Sequence, residues 1–137
     1  MDARGYERIV RAVRERYGVR VRRWRESMSG CAWCVYRGDG GVTRWVEAPR
    51  PRTPVSLAVF LHEVGHHVIG FERFARGCEE EFHAWEWAVG EMRRLGVGPD
   101  ARTLRRVERS MRYAVWQAER RGAGVPEVLL GYSARAA

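Results

Sequence analysis

Lysine is missing from this chain altogether: all 25 basic residues among its 137 are arginine, and against 17 acidic residues they leave a formal net charge of +8. A GC-rich genome imposes such a bias, and arginine is also the side chain best suited to bidentate contact with phosphate or carboxylate. A positive surface attracts nucleic acid or acidic protein partners and says nothing about fold. Cysteine is scarce. Cys31, Cys34 and Cys78 cannot all pair within one chain, which excludes a secreted disulfide scaffold. Long apolar runs are absent as well, with nothing near the roughly 18 to 20 residues needed to cross a bilayer, so no membrane association is expected. The start, Met1-Asp2-Ala3-Arg4, leads into a charged helix rather than a signal sequence, and the cytoplasm is the expected location. There is no internal repeat and no low-complexity segment, and the length suits one domain over residues 1–137.

What the chain does contain is Phe60-Leu61-His62-Glu63-Val64-Gly65-His66-His67-Val68-Ile69, an HExxH motif set in an apolar run. Two imidazoles four residues apart on a helix share a face about one turn apart, where both can ligate one small cation. Histidine nitrogens suit zinc, and zinc held by only three protein groups keeps a position open for water. Glu63 points roughly 100° round the helix from His62, where it can reach such a water as a general base. A buried His-Glu-His cluster without a metal would carry a large desolvation cost.

The surrounding elements are readable from start and stop signals. Thr53 can cap a helix over residues 54–69, Pro54 fits its first position and Gly70 can end it in a left-handed conformation. Gly65 inside it costs about 1 kcal/mol relative to alanine, which implies that something packs closely there. Tyr6, Ile9, Val10 and Val13 recur at helical spacing, and Gly18 can close that helix. Residues 19–24, 31–36 and 42–47 have strand character, and the turn Gly38-Asp39-Gly40-Gly41 makes residues 31–47 a hairpin. Pro49, Pro51 and Pro54 stiffen the connection into the HExxH helix. A second long helix is expected over residues 79–95 and a third from Pro99-Asp100 to about Arg121, ended by Gly122 and Gly124. The tail, residues 125–132, fits a short turn or strand. Together these make an α+β domain with a small antiparallel sheet packed on the HExxH helix and further helices.

A third ligand must come from elsewhere, and Cys78-Glu79-Glu80-Glu81-Phe82-His83-Ala84-Trp85 is the natural supplier. On a helical wheel Ala84, Trp85, Ala88, Val89, Met92 and Leu95 define an apolar face with Glu81 near its centre and Glu80 at its edge. Glu79, His83 and Glu86 fall opposite. A carboxylate on a buried face needs a charged partner or a metal, so Glu81 is the expected third ligand. Ala84 and Ala88 would let this helix come close to the HExxH helix.

At this point the chain resembles the compact zinc metallopeptidases of the ImmA/IrrE type, the minigluzincins, over roughly residues 5–95, with residues 99–132 as a C-terminal helical extension. The resemblance implies one zinc per chain on His62 and His66, Glu63 as base, a glutamate of the next helix as third ligand, and a protein substrate, often a regulator carried by a phage or other mobile element. The second motif departs from the family pattern, which has a glutamate directly before an alanine. Here His83 precedes Ala84 and Glu81 stands two residues earlier, so alignment points to His83 and the wheel to Glu81.

Other features are weaker. Cys31 and Cys34 have CxxC spacing without a second pair, and packing in the hairpin is the simpler reading. His67 lies on another side of the helix from the two motif histidines. The six tryptophans are expected mostly in the core. Arg102, Arg105, Arg106, Arg109 and Arg112 form a basic stripe on the third helix, able to track a phosphate backbone or simply to face water opposite Leu104, Val107, Met111, Tyr113, Val115 and Trp116. The expected function is a zinc peptidase acting on a protein or peptide, with residues 42–47 as an edge for an extended substrate and His83 as a possible helper at the oxyanion. The alternative is a basic regulatory or nucleic-acid-binding protein of mobile-element origin with a structural or vestigial zinc site. Neither oligomeric state nor substrate identity follows from the sequence.

Overall fold

The computed structural model describes residues 1–134. In chain order the elements are α1 (Ala3–Tyr17), β1 (Val19–Arg25), β2 (Cys31–Tyr36), β3 (Val42–Pro49), α2 (Pro54–Ile69), α3 (Gly77–Arg94), α4 (Ala101–Arg120) and a short 3-10 helix (Glu127–Tyr132), an α+β fold. No helix among the described residues is long and apolar enough to cross a membrane.

The expected punctuation is present. Asp2 caps α1 by accepting from the Gly5 amide, and Gly18 ends the helix at φ 62°, ψ 37°, in the left-handed region that glycine enters without cost. Thr53 caps α2, with the Ser56 hydroxyl returning a bond to complete a capping box around Pro54. Gly70 closes α2 differently from expectation. Its φ of 90° is positive, but ψ of 143° lies outside the left-handed helical region, and a turn at residues 71–72 follows it.

The sheet is mixed, in the order β1-β3-β2, and not antiparallel throughout. The chain turns back after β1 to make β2, turns again through Gly40, and inserts β3 between the two, so β3 runs antiparallel to β2 and parallel to β1. One consequence corrects the expectation for residues 42–47: β3 is the central strand, both its edges are occupied, and no substrate can add there. The free edges belong to β1 and β2.

A register shift between Val21 and Arg23 bends β1 and turns Arg22, Arg23 and Arg25 onto one acceptor, the Glu47 carboxylate, at 2.7, 3.4 and 3.0 Å. Glu47 is only 6% exposed. Hydrogen bonds from Arg22 and Arg25 hold its carboxyl below the usual range.

Helix α2 is buried continuously from Ser56 to His66, with the sheet on one side and α3 on the other. It meets α3 at Gly65, where an added Cβ would stand 3.0 Å from the Ala84 carbonyl oxygen and 3.1 Å from the Trp87 ring. Gly65 is therefore a point of close approach, as its helix-breaking composition implies. The C-terminal segment belongs to the same core, since Met111, Val115 and Leu129 are fully buried with Phe60, Leu61 and Met92. Two expectations are corrected here. Leu104, Tyr113 and Trp116 are 51, 58 and 48% exposed, because α4 buries only the row Thr103, Met111, Ala114 and Val115. Of the six tryptophans only Trp85 is buried, the short core leaving Trp24, Trp33, Trp45 and Trp87 at its margin.

Two measurements check this packing. Gly65→Ala gains helix propensity worth about 1 kcal/mol, but the new methyl meets backbone at Ala84 and overpacking costs about 1 to 3 kcal/mol. The expected result is a melting temperature lower by a few degrees, and a variant more stable than wild type would refute the close contact. For Glu47, a depressed folded pKa means stability present above the ordinary carboxylate range and lost as pH falls through it. Glu47→Gln should accordingly melt lower than wild type at pH 7, with the difference shrinking toward pH 3; a gap independent of pH would sink the ion-pair account.

Candidate metal centre

HExxH spacing on α2 turns His62 and His66 to the same side, where their Nε2 atoms lie 3.2 Å apart. Glu81, in the second turn of α3, brings one carboxylate oxygen to each: Oε2 is 3.2 Å from His62 Nε2 and Oε1 is 3.1 Å from His66 Nε2. Three donor groups thus converge on one point. Donors held at about 2.0 to 2.1 Å from a tetrahedral ion stand about 3.3 Å from one another, so the spacing is that of a three-ligand cation site. The rings' other nitrogens are poorly partnered. His62 Nδ1 is buried with no hydrogen-bond partner, and His66 Nδ1, 3.0 Å from Glu80 Oε2, is off the direction of a good bond.

Glu63 also lies within 4.8 Å of both histidines, and His62, Glu63 and His66 form a buried group able to hold a metal ion. Direct contact with both Nε2 atoms belongs to Glu81. The two carboxylates are in opposite states. Burial pushes Glu63 up to about 7, the charge of His66 only partly offsetting it. Burial pushes Glu81 the same way, but hydrogen bonds and charge from His62 and His66 outweigh it and hold that carboxyl well below the usual range. Burial also lowers His62, whereas at His66 the Glu81 carboxylate overcomes burial and raises it.

The surroundings fix these groups. Trp85 stacks on the His62 ring with centroids 4.0 Å apart and planes 19° apart. Gly30 presses on Glu63: a Cβ there would lie 2.7 Å from Glu63 Oε2 and 2.6 Å from the Glu47 carbonyl. The site opens into a cleft of about 500 Å³ bordered by Gly30, Cys31, Phe71, Glu80, Arg106 and Ser110 besides the cluster itself. Arg106, from α4, spans one wall. Its guanidinium sits 5.5 Å above the Trp85 ring, donates to the Met28 carbonyl at 2.9 Å and bonds the Ser110 hydroxyl.

Of the residues that alignment or the wheel raised, Glu80 is at the rim, touching His66 Nδ1 and accepting from the Glu72 amide. His83 stacks on Phe74 at 4.4 Å and does not border the cleft, so neither a ligand position nor a helping position at an oxyanion is open to it. His67 bonds the Trp45 carbonyl through Nε2 at 2.9 Å and faces Cys34 Sγ at 3.7 Å, pinning the hairpin to α2. All three cysteines are free. Burial raises the thiols of Cys31 and Cys78, which disfavours the nucleophilic thiolate at both. Sequence reasoning missed Gly30 and the wall formed by Arg106. No local signal marks the glycine, and Arg106 is indistinguishable in sequence from its neighbours in the stripe.

Comparison with protein-family models, curated proteins and solved structures finds no significant match.

Metal titration of single variants separates the carboxylates. Glu81→Ala should weaken binding of a divalent ion at least a hundredfold, far more than Glu80→Ala, while His83→Ala leaves it unchanged. Glu63→Gln should retain the ion. If Glu63→Gln loses it and Glu81→Ala does not, the third donor is Glu63.

Proposed function

We propose that this chain is a zinc-dependent metallopeptidase that hydrolyses a protein or peptide. The observation that carries the reading is the convergence of His62 Nε2, His66 Nε2 and both oxygens of Glu81 at 3.1 to 3.2 Å, beside a second, buried carboxylate that pairs with none of them. Two imidazoles and one carboxylate are the donor set of a catalytic zinc site, which leaves a place for water. Bound there, the ion would supply Lewis acidity to a carbonyl and bring the pKa of water toward about 7.

The chain's own residues account for the remaining steps. Glu63, buried beside the two histidines, takes a proton from the attacking water and delivers it to the leaving amine nitrogen. The Gly30 backbone holds that carboxylate in place from the opposite side. Trp85 fixes the His62 ring plane. The free edge of β2 starts at Cys31, on the border of the cleft, and can accept an extended peptide as an added strand. Arg106 offers a fixed positive charge to the oxygen that becomes negative at the scissile carbonyl. The likeness to ImmA/IrrE-type peptidases in HExxH and the following glutamate helix agrees with this assignment. A purely structural metal site needs neither an unpaired buried carboxylate nor an open cleft.

Purified protein should bind about one zinc per chain. Glu63→Gln should keep the zinc and lower turnover of a protein substrate by roughly 10² to 10⁴-fold, the usual worth of a general base. Gly30→Ala should also keep the zinc yet lose roughly ten- to a hundredfold in kcat, since its methyl displaces Glu63. Wild-type turnover by zinc-loaded Glu63→Gln would falsify the mechanism.

A further inference from the structure

A second groove, of about 920 Å³, runs between the start of α3 and the flank of α4. It is continuous with the cleft at the histidines, because Glu80, Glu81, Arg106 and Ser110 border both. Four arginines line it: Arg76, Arg106, Arg109 and Arg121. The two acidic side chains at its inner end are already engaged, Glu81 with both motif histidines and Glu80 with His66.

The arginines have few close acidic partners within the molecule. Among the described residues no carboxylate forms an ion pair with Arg106, Arg109 or Arg121, and Arg76 meets Glu79 only at 3.9 Å. Arg106 is half-buried and held by neutral partners, the Met28 carbonyl and Ser110. Half-buried positive charge that no carboxylate touches directly, with Glu63 and Glu81 acting on Arg106 only from a distance, at the junction of a groove and a cleft, favours an anionic occupant. By contrast Arg112, on the outer surface of α4, is already paired with Glu108 at 2.9 Å.

We propose that this groove receives an acidic segment of the substrate, so that the chain acts on a polypeptide bearing aspartate or glutamate side chains beside the bond brought to His62 and His66. The inference rests on the peptidase reading for the cleavage but not for the binding. A carboxylate-bearing peptide fits better than nucleic acid. The groove ends at a site bordered by two carboxylates, which would repel a phosphate backbone, and Arg102 and Arg105 do not border it but line an adjoining hollow that shares Met28, Arg106 and Arg109 with it.

Fluorescence anisotropy on the full-length Glu63→Gln protein tests the binding without turnover. The probes are labelled octapeptides rich in glutamate, glutamine or arginine, and a labelled eight-nucleotide thymidine strand. The glutamate peptide should bind at least tenfold more tightly than the glutamine peptide at low salt. Arg109→Glu and Arg121→Glu should each weaken it at least tenfold, and Arg105→Glu less than twofold. Equal binding of the glutamate and glutamine peptides, or indifference to both groove reversals, overturns the proposal; so does tighter binding of the oligonucleotide with Arg102→Glu and Arg105→Glu as the damaging changes. Cleavage by zinc-loaded wild type is scored separately on a mixed protein digest. Acid-selective binding with no cleavage of any component removes the peptidase reading and leaves the groove assignment. Cleavage without preference for acidic neighbours does the reverse.

Discussion

The contact of α2 with α3 at Gly65 is the constraint on which the site depends. A glutamate side chain has a fixed reach, so Glu81 can touch both histidine rings only if the two helix axes come close at that level. Gly65 sets the distance by lying against the Ala84 backbone and the Trp87 ring, with no room even for a methyl group. Burial of α2 from Ser56 to His66 then holds the helix from its other sides. A site built this way lies on rigid elements, and its accuracy comes from the core rather than from a loop.

Within this frame the electrostatics divide the work between like groups. Glu81 and Glu63 have the same chemistry and sit one helix apart, yet imidazole nitrogens around one hold its carboxyl low while burial beside Gly30 pushes the other up to about 7. Opposed environments push the two carboxylates toward opposite charge states. A similar economy operates at the sheet. Glu47 would be costly at the buried end of β3, but the bend in β1 gathers three arginines around it, and Arg25 extends the same cluster to Cys31 at the border of the cleft.

The local features were legible because they are written locally. Thr53, Pro54, Gly18 and Asp100 mark helix ends through chemistry that acts within a few residues, and the spacing of His62 and His66 is fixed by the helix itself. The position of Glu81 toward the histidines was readable from the wheel because it depends only on which side of α3 is apolar. The strand order was not. Whether β3 pairs on one side or two depends on where the chain passes after β2, and no residue in the hairpin records it. The buried face of α4 was misjudged for a related reason: Leu104, Tyr113 and Trp116 are apolar, but burial is decided by the narrow surface that α2 and α3 offer, which the α4 sequence does not contain. Gly30 escaped notice because its constraint is a neighbour thirty-three positions away.

Helix α4 also bears on how the protein is made. During synthesis α2 and α3 leave the ribosome first, carrying all the donor atoms that converge between His62 and Glu81. The wall that bounds them arrives with Arg106, which bridges back to Met28 across seventy-eight positions of chain. A chain ending at α3 would contain every donor but not the α4 wall that Arg106 and Ser110 give the cleft, nor the core contribution of Met111 and Val115. The donor cluster and its wall are thereby supplied by separate parts of the chain and meet only in the finished core.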